Sequence, residues 1–318
     1  MGSRNETVIV TGAGGFIGSN IVRRLLRDTY TVHAFVRSDS SLWRIYDLKN
    51  NLYIHTGLLL DSKKLTSTIH SIAPDHIFHL ATYGSYPKQS DVSQMIDVSV
   101  KSTLNLLEAS REIPYKSFVV SGSSSEYGKK HSVMKETDLP EPNNLYGAAK
   151  AAQTMFVQAY ARAMKRNAMI LRLFNVYGPY EEEGRLVRSV IESAIQGKPI
   201  KLATGREARD FIFADDVADA FLHASRRCTF YGEIFNIGTG QQTTILTLAK
   251  FVVRILTSQS QILLNAYEGR PWDTLHWKAS MRKTERFLKW HPKTPLIDGL
   301  KKTIQWYKEQ HIPSKVIQ

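Results

Sequence analysis

A tyrosine and a lysine in the segment Tyr146-Gly147-Ala148-Ala149-Lys150 could exchange a proton with a substrate. Residues four apart on a helix lie one above the other on the same face. An ammonium group favours the phenolate and so lowers the pKa of a tyrosine, which would let Tyr146 act near neutral pH. Ser123 could hydrogen-bond the same substrate oxygen. Such a pair also arises by chance on helix surfaces, so this acid–base hypothesis depends on the rest of the chain.

A glycine-rich run near the start of the chain predicts a dinucleotide site. The run Thr11-Gly12-Ala13-Gly14-Gly15-Phe16-Ile17-Gly18 follows an apolar strand-like segment and opens a helical pattern. Glycines at these spacings allow a tight turn, close approach to a pyrophosphate and close packing of helix on strand. The helix N-terminus adds free N–H groups and a positive dipole. We expect Gly12, Gly15, Phe16, Ile17 and Gly18 to contact the cofactor.

The residues about 20 positions past this run bear on the choice of cofactor. An acidic residue there would bind the ribose 2′-hydroxyl of NAD, whereas an arginine accommodates a 2′-phosphate. The chain has Arg37 followed by Ser38. The sequence therefore favours NADP(H), with NAD(H) possible, and the alternative is that Arg37 faces solvent without a ligand.

Apolar strand-like runs alternate with helical patterns, which predicts a parallel sheet with helices on both faces. The predicted strands are Thr7–Val10, Val32–Val36, Leu52–His55, His76–Leu80, Ser117–Val120 and Met169–Leu173, and the predicted helices are Phe16–Arg27, Lys63–Ser71, Ser93–Arg111 and Asn144–Lys165. We expect an α/β, doubly wound (Rossmann) domain over residues 1–174. Residues 175–318 would form mainly a smaller α/β substrate lobe, with segments exchanged between the two.

Composition limits the class of protein. The 318 residues are 42% hydrophobic, with no apolar stretch long enough for a membrane span and a single cysteine, Cys228. We expect a cytoplasmic protein that does not associate with a membrane. We also expect no metal site, since His76 and His79 point to opposite faces of a strand. The net charge is +13. The excess of basic residues late in the chain has three interpretations. The residues form a solvated face, they steer polyanionic ligands, or, as the least favoured alternative, they bind nucleic acid.

The chain resembles the extended short-chain dehydrogenase/reductase family, in its nucleotide-sugar epimerase, dehydratase and reductase branch. The segments that carry the resemblance are Thr11–Gly18, His79–Ala81, Ser123, Tyr146 with Lys150, Leu173–Pro179, Arg209–Val217 and Gly269–Pro271. The resemblance implies that Ser123, Tyr146 and Lys150 form a catalytic triad. It also implies a nucleotide-diphosphate sugar as substrate and, because family members often dimerise, a homodimer.

The resemblance extends to residues near the strand ends. The further cofactor contacts it implies are Leu59, Leu80, Ala81, Thr82, Ser121 and Val176, besides Tyr146 and Lys150 themselves. The implied substrate contacts are Ser85, Ser123, Ser124, Tyr146, Asn175, Arg209 and Arg270. Guanidinium groups suit phosphate oxygens because their planar donor forks match the phosphate geometry.

Departures from the family pattern narrow the reaction. Family dehydratases carry an acidic pair directly after the catalytic serine or threonine, and this chain has Ser124 and Ser125 there. Dehydration is therefore disfavoured. With NADP(H) favoured, the main hypothesis is reduction of the 4-keto group of a nucleotide-linked 4-keto-6-deoxyhexose. The alternatives are a 4-epimerase with tightly bound NAD and a catalytically silent, nucleotide-binding regulatory protein.

Overall fold

The computed structural model of the chain describes residues 5–57, 59–86, 89–227, 230–269 and 273–311. Its strands are β1 (Thr7–Thr11), β2 (Thr31–Val36), β3 (Tyr53–Thr56), β4 (His76–His79), β5 (Ser117–Ser123), β6 (Ala168–Leu173), β7 (Asn175–Tyr177), β8 (Ile200–Lys201), β9 (Ala208–Arg209), β10 (Phe211–Phe213), β11 (Tyr231–Ile237), β12 (Thr243–Thr244) and β13 (Ile262–Leu263). Its α-helices are α1 (Phe16–Arg27), α2 (Ser62–Ile72), α3 (Val92–Ile96), α4 (Ser102–Ala109), α5 (Leu145–Met164), α6 (Leu186–Ile195), α7 (Ala214–Ser225), α8 (Ile245–Leu256), α9 (Arg282–Leu288) and α10 (Leu296–His311).

The central sheet has seven parallel strands in the order β11-β6-β5-β4-β1-β2-β3. The strand order reverses between β1 and β4, which is where a doubly wound sheet opens a crevice for ligand. The predicted α/β class and parallel sheet are confirmed. The sequence did not predict β11, which lies beyond residue 174 and completes this sheet. The domain boundary at residue 174 stays a prediction.

Successive side chains along the strands enter two different hydrophobic cores. In β1, for example, Val8 and Val10 belong to one core and Ile9 to the other. Helices α1 and α7 cover the first face, while α2, α4 and α5 cover the second. Because both faces are buried, the strands read as continuous apolar runs rather than alternating ones.

The helix predicted over Ser93–Arg111 is present as continuous helical backbone over residues 92–109, but its α-helical hydrogen bonding is interrupted. A π-helical turn, Asp97–Lys101, separates α3 from α4. The hydroxyls of Ser102 and Thr103 donate to carbonyls four residues earlier, at 2.5 Å from Val98 O and 2.7 Å from Ser99 O. Such back-bonding competes with regular helix geometry, and π-turns are frequent at functional sites.

A third hydrophobic core lies outside the central sheet. It is built mainly from α6, α8 and α10, with β8 and β10. The short parallel pair of β7 and β10 begins one residue after β6 ends, with Asn175 as the first residue of β7. Over the described ranges, no helix is both long and apolar enough to cross a membrane.

Candidate active site

The glycine-rich loop forms a backbone cradle at the crevice between β1 and β4. Gly12 has a φ of +68°, and a Cβ on it would lie 2.9 Å from backbone atoms of Leu80 and Ala81. A Cβ on Gly18 would lie 2.2 Å from the carbonyl oxygen of Gly12. Larger residues cannot occupy these positions. The first turn of α1, at Phe16 and Ile17, directs its N–H groups to the same place, so the cradle fits a pyrophosphate.

The end of β4 is fixed against this cradle by a buried threonine. Thr11 Oγ1 accepts hydrogen bonds from the backbone N–H groups of Leu80 at 3.1 Å and Ala81 at 3.2 Å. Among the other expected cofactor contacts, Ser121 lies in β5, where its hydroxyl donates to the His79 carbonyl of β4 at 3.3 Å, and Val176 is buried in β7. Leu59 lies further along the second face, where its carbonyl oxygen accepts from Asn105 at 3.0 Å.

Ser123 and Tyr146 meet at the carboxyl edge of the sheet. Ser123 is the last residue of β5, and its hydroxyl oxygen accepts from Ser125 N at 3.1 Å. Tyr146 lies in the first turn of α5, whose start is capped by the Asn144 side chain. Burial raises the pKa of Tyr146, while hydrogen bonding by Ser123, the charge of Arg185 and hydrogen bonding by Thr82 act against that rise. The sequence did not single out Arg185.

Lys150 lies one turn further along α5, almost completely buried. Its Nζ donates to the Ser121 carbonyl at 2.8 Å and to Gln153 Oε1 at 3.0 Å. Burial lowers the pKa of Lys150 to about 8. The expectation of a lowered pKa for Tyr146 is wrong for the protein without ligand, because burial of the phenol outweighs the groups that favour the phenolate.

Polar groups line the side of the crevice that faces the smaller lobe. Asn175 Oδ1 is buried and has no hydrogen-bond partner among the residues that the structure describes, so it can accept from a ligand. Ser124 Oγ accepts from Trp277 Nε1 at 3.1 Å. Arg209 pairs with Asp273 at 2.6 Å, and its guanidinium carbon lies 5.5 Å from the centroid of the Trp277 ring. Sequence reasoning missed Trp277.

Two further substrate predictions have different outcomes. Ser85 lies half-buried in the loop that follows β4. Arg270 lies outside the described residues, and its expected phosphate contact stays a prediction.

A buried carboxylate holds the backbone of Ser123. Glu126 Oε1 accepts from Ser123 N at 2.7 Å, and Oε2 accepts from Arg172 Nε and Thr154 Oγ1, both at 2.8 Å. Glu126 is the first acidic residue after Ser123, and its carboxylate is engaged inside the protein rather than in the crevice. The neighbouring Ser124 and Ser125 supply no acid. Sequence reasoning missed this role of Glu126.

Arg37 lies exposed at the end of β2, where its Nε is 3.3 Å from Asp39 Oδ1. Ser38 between them is exposed as well. The position expected to read the cofactor ribose therefore carries a carboxylate beside the guanidinium. In the described ranges, no group of three or more His, Cys, Asp or Glu side chains could hold a metal ion.

Comparison with known proteins gives the same assignment along most of the chain. The family model described as NAD dependent epimerase/dehydratase family matches residues 8–238. The chain belongs to this family. The extended short-chain dehydrogenase/reductase resemblance is thereby confirmed, together with the nucleotide-sugar branch.

Individual family members match over nearly their whole length. The dTDP-D-glucose 4,6-dehydratase of Bos taurus is 28% identical over 96% of this chain and 89% of its own. The structure of UDP-glucose 4-epimerase from Thermotoga maritima with UDP-glucose superposes with a TM-score of 0.88 at 28% identity, covering 96% of this chain and 99% of that one. UDP-glucuronic acid 4-epimerase from Bacillus cereus, in complex with UDP-glucuronic acid and NAD, gives a TM-score of 0.86 at 26% identity, covering 96% of this chain and 100% of that one.

Proposed function

We propose that the protein is a nucleotide-sugar 4-epimerase. The observation that carries this proposal is the meeting of Ser123 and Tyr146 at the sheet edge that also holds the glycine cradle. Structural similarity to two 4-epimerases over 96% of the chain supports the same reaction. The 4-ketoreductase hypothesis has less support, because it depends mainly on the preference for NADP(H).

The reaction would follow from the positions of the side chains. When bound, a nicotinamide cofactor supplies first the acceptor and then the donor of the sugar C4 hydride. Tyr146, as the phenolate, would take the proton of the sugar 4-hydroxyl while the C4 hydrogen leaves as hydride, which gives a 4-keto sugar and a neutral phenol. Ser123 would donate a hydrogen bond to that oxygen, since its own oxygen already accepts from Ser125 N. After the 4-keto sugar rotates and presents its other face to the hydride donor, Tyr146 would return the proton to the 4-oxygen.

Substrate would bind across the crevice towards the smaller lobe. Arg209 offers a guanidinium to the diphosphate, and the unpartnered Asn175 Oδ1 can accept a hydroxyl proton. Trp277 and Ser124 form a polar and aromatic wall next to Ser123. A 4,6-dehydratase activity is not proposed, because loss of water needs an acid and a base at the crevice and Ser124 and Ser125 supply neither.

The cofactor we propose is NAD(H), with NADP(H) as the second candidate. Arg37 favours a 2′-phosphate, but the Asp39 carboxylate beside it would repel that phosphate and can accept from a 2′-hydroxyl. The Bacillus cereus 4-epimerase structure contains NAD. If NADP(H) is used instead, the 4-ketoreductase becomes the better hypothesis.

A homodimer remains part of the proposal. Helix α5 exposes Met155 and Phe156, which are 56% and 45% accessible, on the second face of the sheet. Helix α3 exposes Ile96 in the neighbouring helical layer, and it is 52% accessible. A second copy would cover these apolar side chains, and light scattering of the wild type and of Phe156→Glu tests this. A monomeric wild type would contradict it.

The test of the reaction is incubation with a panel of UDP- and dTDP-hexoses and their 4-keto-6-deoxy forms. Products are followed by NMR and cofactor by absorbance. We expect interconversion of 4-epimers without net change of absorbance. Net consumption of NADPH with a 4-keto sugar would replace this proposal by the 4-ketoreductase, and no turnover with bound cofactor would favour the regulatory alternative.

A further inference from the structure

A chain of buried hydrogen bonds runs from the end of β1 to helix α5. Thr11 Oγ1 lies 2.7 Å from His79 Nδ1, and His79 Nε2 lies 2.9 Å from Thr103 Oγ1. Gln153 Nε2 donates to Thr103 Oγ1 at 2.8 Å, and Gln153 Oε1 accepts from Lys150 at 3.0 Å. Each of these side chains is at most 1% exposed. Water therefore does not compete for these contacts.

The donors and acceptors in this chain fix every proton. Thr11 Oγ1 accepts from two backbone N–H groups, so its own proton goes to His79 Nδ1. Burial lowers the pKa of His79 to about 3, so the ring is neutral and carries its one proton on Nε2. The Thr103 hydroxyl donates to the Ser99 carbonyl at 2.7 Å, which leaves its oxygen to accept from both His79 and Gln153.

The Gln153 carboxamide consequently has one allowed orientation. Its nitrogen faces Thr103, and its oxygen faces Lys150. The ammonium of Lys150 has three protons, and the Ser121 carbonyl and Gln153 take two of them. One N–H remains for a ligand in the crevice. The titratable groups that interact with Lys150 are Glu126 from the turn after β5 and His79 from β4.

We propose that Gln153 is a positioning residue that holds the Lys150 ammonium in the place and charge state needed to bind the nicotinamide ribose. The role rests on the proposed function and on the cofactor contact that the family resemblance implies for Lys150. An amide oxygen orients an ammonium but stabilises its charge less than a carboxylate does. Burial lowers the pKa of Lys150 to about 8, and the neutral Gln153 favours the ammonium by one hydrogen bond without adding a charge. A carboxylate in the same place would keep Lys150 charged.

The test measures NADH affinity by fluorescence between pH 6 and 10, with NADPH in parallel and no sugar present. In the wild type, affinity should fall as Lys150 loses its proton, with a midpoint near pH 8. Gln153→Glu places a negative charge beside the ammonium and should move the midpoint up by about one pH unit or more. Gln153→Met removes the acceptor and should move it down.

A glutamine on the same helix gives the matched control. Gln158 donates to the Gly232 carbonyl at 2.8 Å, two turns beyond Lys150, and Gln158→Met should leave the midpoint unchanged. Thermal unfolding checks each variant, and Gln153→Glu decides alone if Gln153→Met does not fold. Unchanged midpoints in the Gln153 variants, or an equal shift in Gln158→Met, would overturn the role. Because no sugar is present, failure of the 4-epimerase proposal would leave this result standing.

Discussion

Replacing Glu126 with glutamine should destabilise the protein far more than the same replacement at Glu141. Glu126 is completely buried and accepts three hydrogen bonds, one of them from Arg172, which is 1% exposed. Glu141 also pairs with a cation, Lys130, but its side chain is 65% exposed. The two variants remove the same charge from a buried and from an exposed ion pair.

The expected costs follow from what each change leaves behind. Glu126→Gln leaves Arg172 in the interior without the carboxylate that it pairs with, and one of its nitrogens already has no hydrogen-bond partner in the described part of the chain. Breaking a buried pair in this way costs about 3–5 kcal/mol of the free energy of unfolding. An exposed pair contributes about 0–1 kcal/mol. The double variant Glu126→Leu with Arg172→Met should regain part of the loss, because neither charge of the pair remains, although Ser123 N–H and the Thr154 hydroxyl lose their acceptor.

Urea unfolding followed by circular dichroism measures these differences. We expect a clearly lower unfolding midpoint for Glu126→Gln, a midpoint near wild type for Glu141→Gln, and partial recovery in the double variant. A Glu126→Gln protein within about 1 kcal/mol of wild type would refute the reasoning, since that is the range of an exposed pair. A double variant as unstable as the single one would also refute it.

Three further predictions concern the proposed site. Tyr146→Phe should lower turnover by roughly 10²–10⁴-fold with cofactor binding retained, and wild-type turnover would contradict its role in proton transfer. Arg209→Ala should raise the substrate Kd by roughly 10–100-fold, since a charge-assisted bond contributes about 1.5–3 kcal/mol. The exposed control Arg206→Ala should leave the Kd unchanged. An equal loss of NADH affinity in Arg209→Ala would place Arg209 at the cofactor instead. Asp39→Asn should shift the cofactor preference towards NADPH, and Arg37→Ala should shift it towards NADH. Both shifts should be smaller at high salt. An unchanged ratio of NADPH to NADH affinity in titrations would show that neither side chain contacts the ribose.

Local patterns in the sequence predicted the parts of the fold that local chemistry determines. The glycine run, the limits of α1 and the six strands up to β6 all follow from apolar periodicity and backbone constraints within short segments. The interruption between α3 and α4 did not follow, because it depends on how Ser102 and Thr103 bond to the preceding turn. Strand β11 could not be placed either, since it joins β6 from more than fifty residues away.

The candidate site divides in the same way. Ser123, Tyr146 and Lys150 were predicted because their types and spacing carry a recognisable chemistry. Glu126, Gln153 and Trp277 were missed because each is held by a partner distant in sequence, which is Arg172, Thr103 and Ser124 respectively. Asp39 is only two residues from Arg37, yet its effect on the guanidinium became visible only with the side chains in place.

The most direct test of the central claim uses a nucleotide hexose carrying deuterium at C4. In a 4-epimerase, the hydride removed from C4 returns to the same carbon from the other face. NMR should therefore show the 4-epimer with its deuterium retained and no net formation of reduced cofactor. Deuterium found in released NADH or NADPH, or lost from the product, would contradict the account.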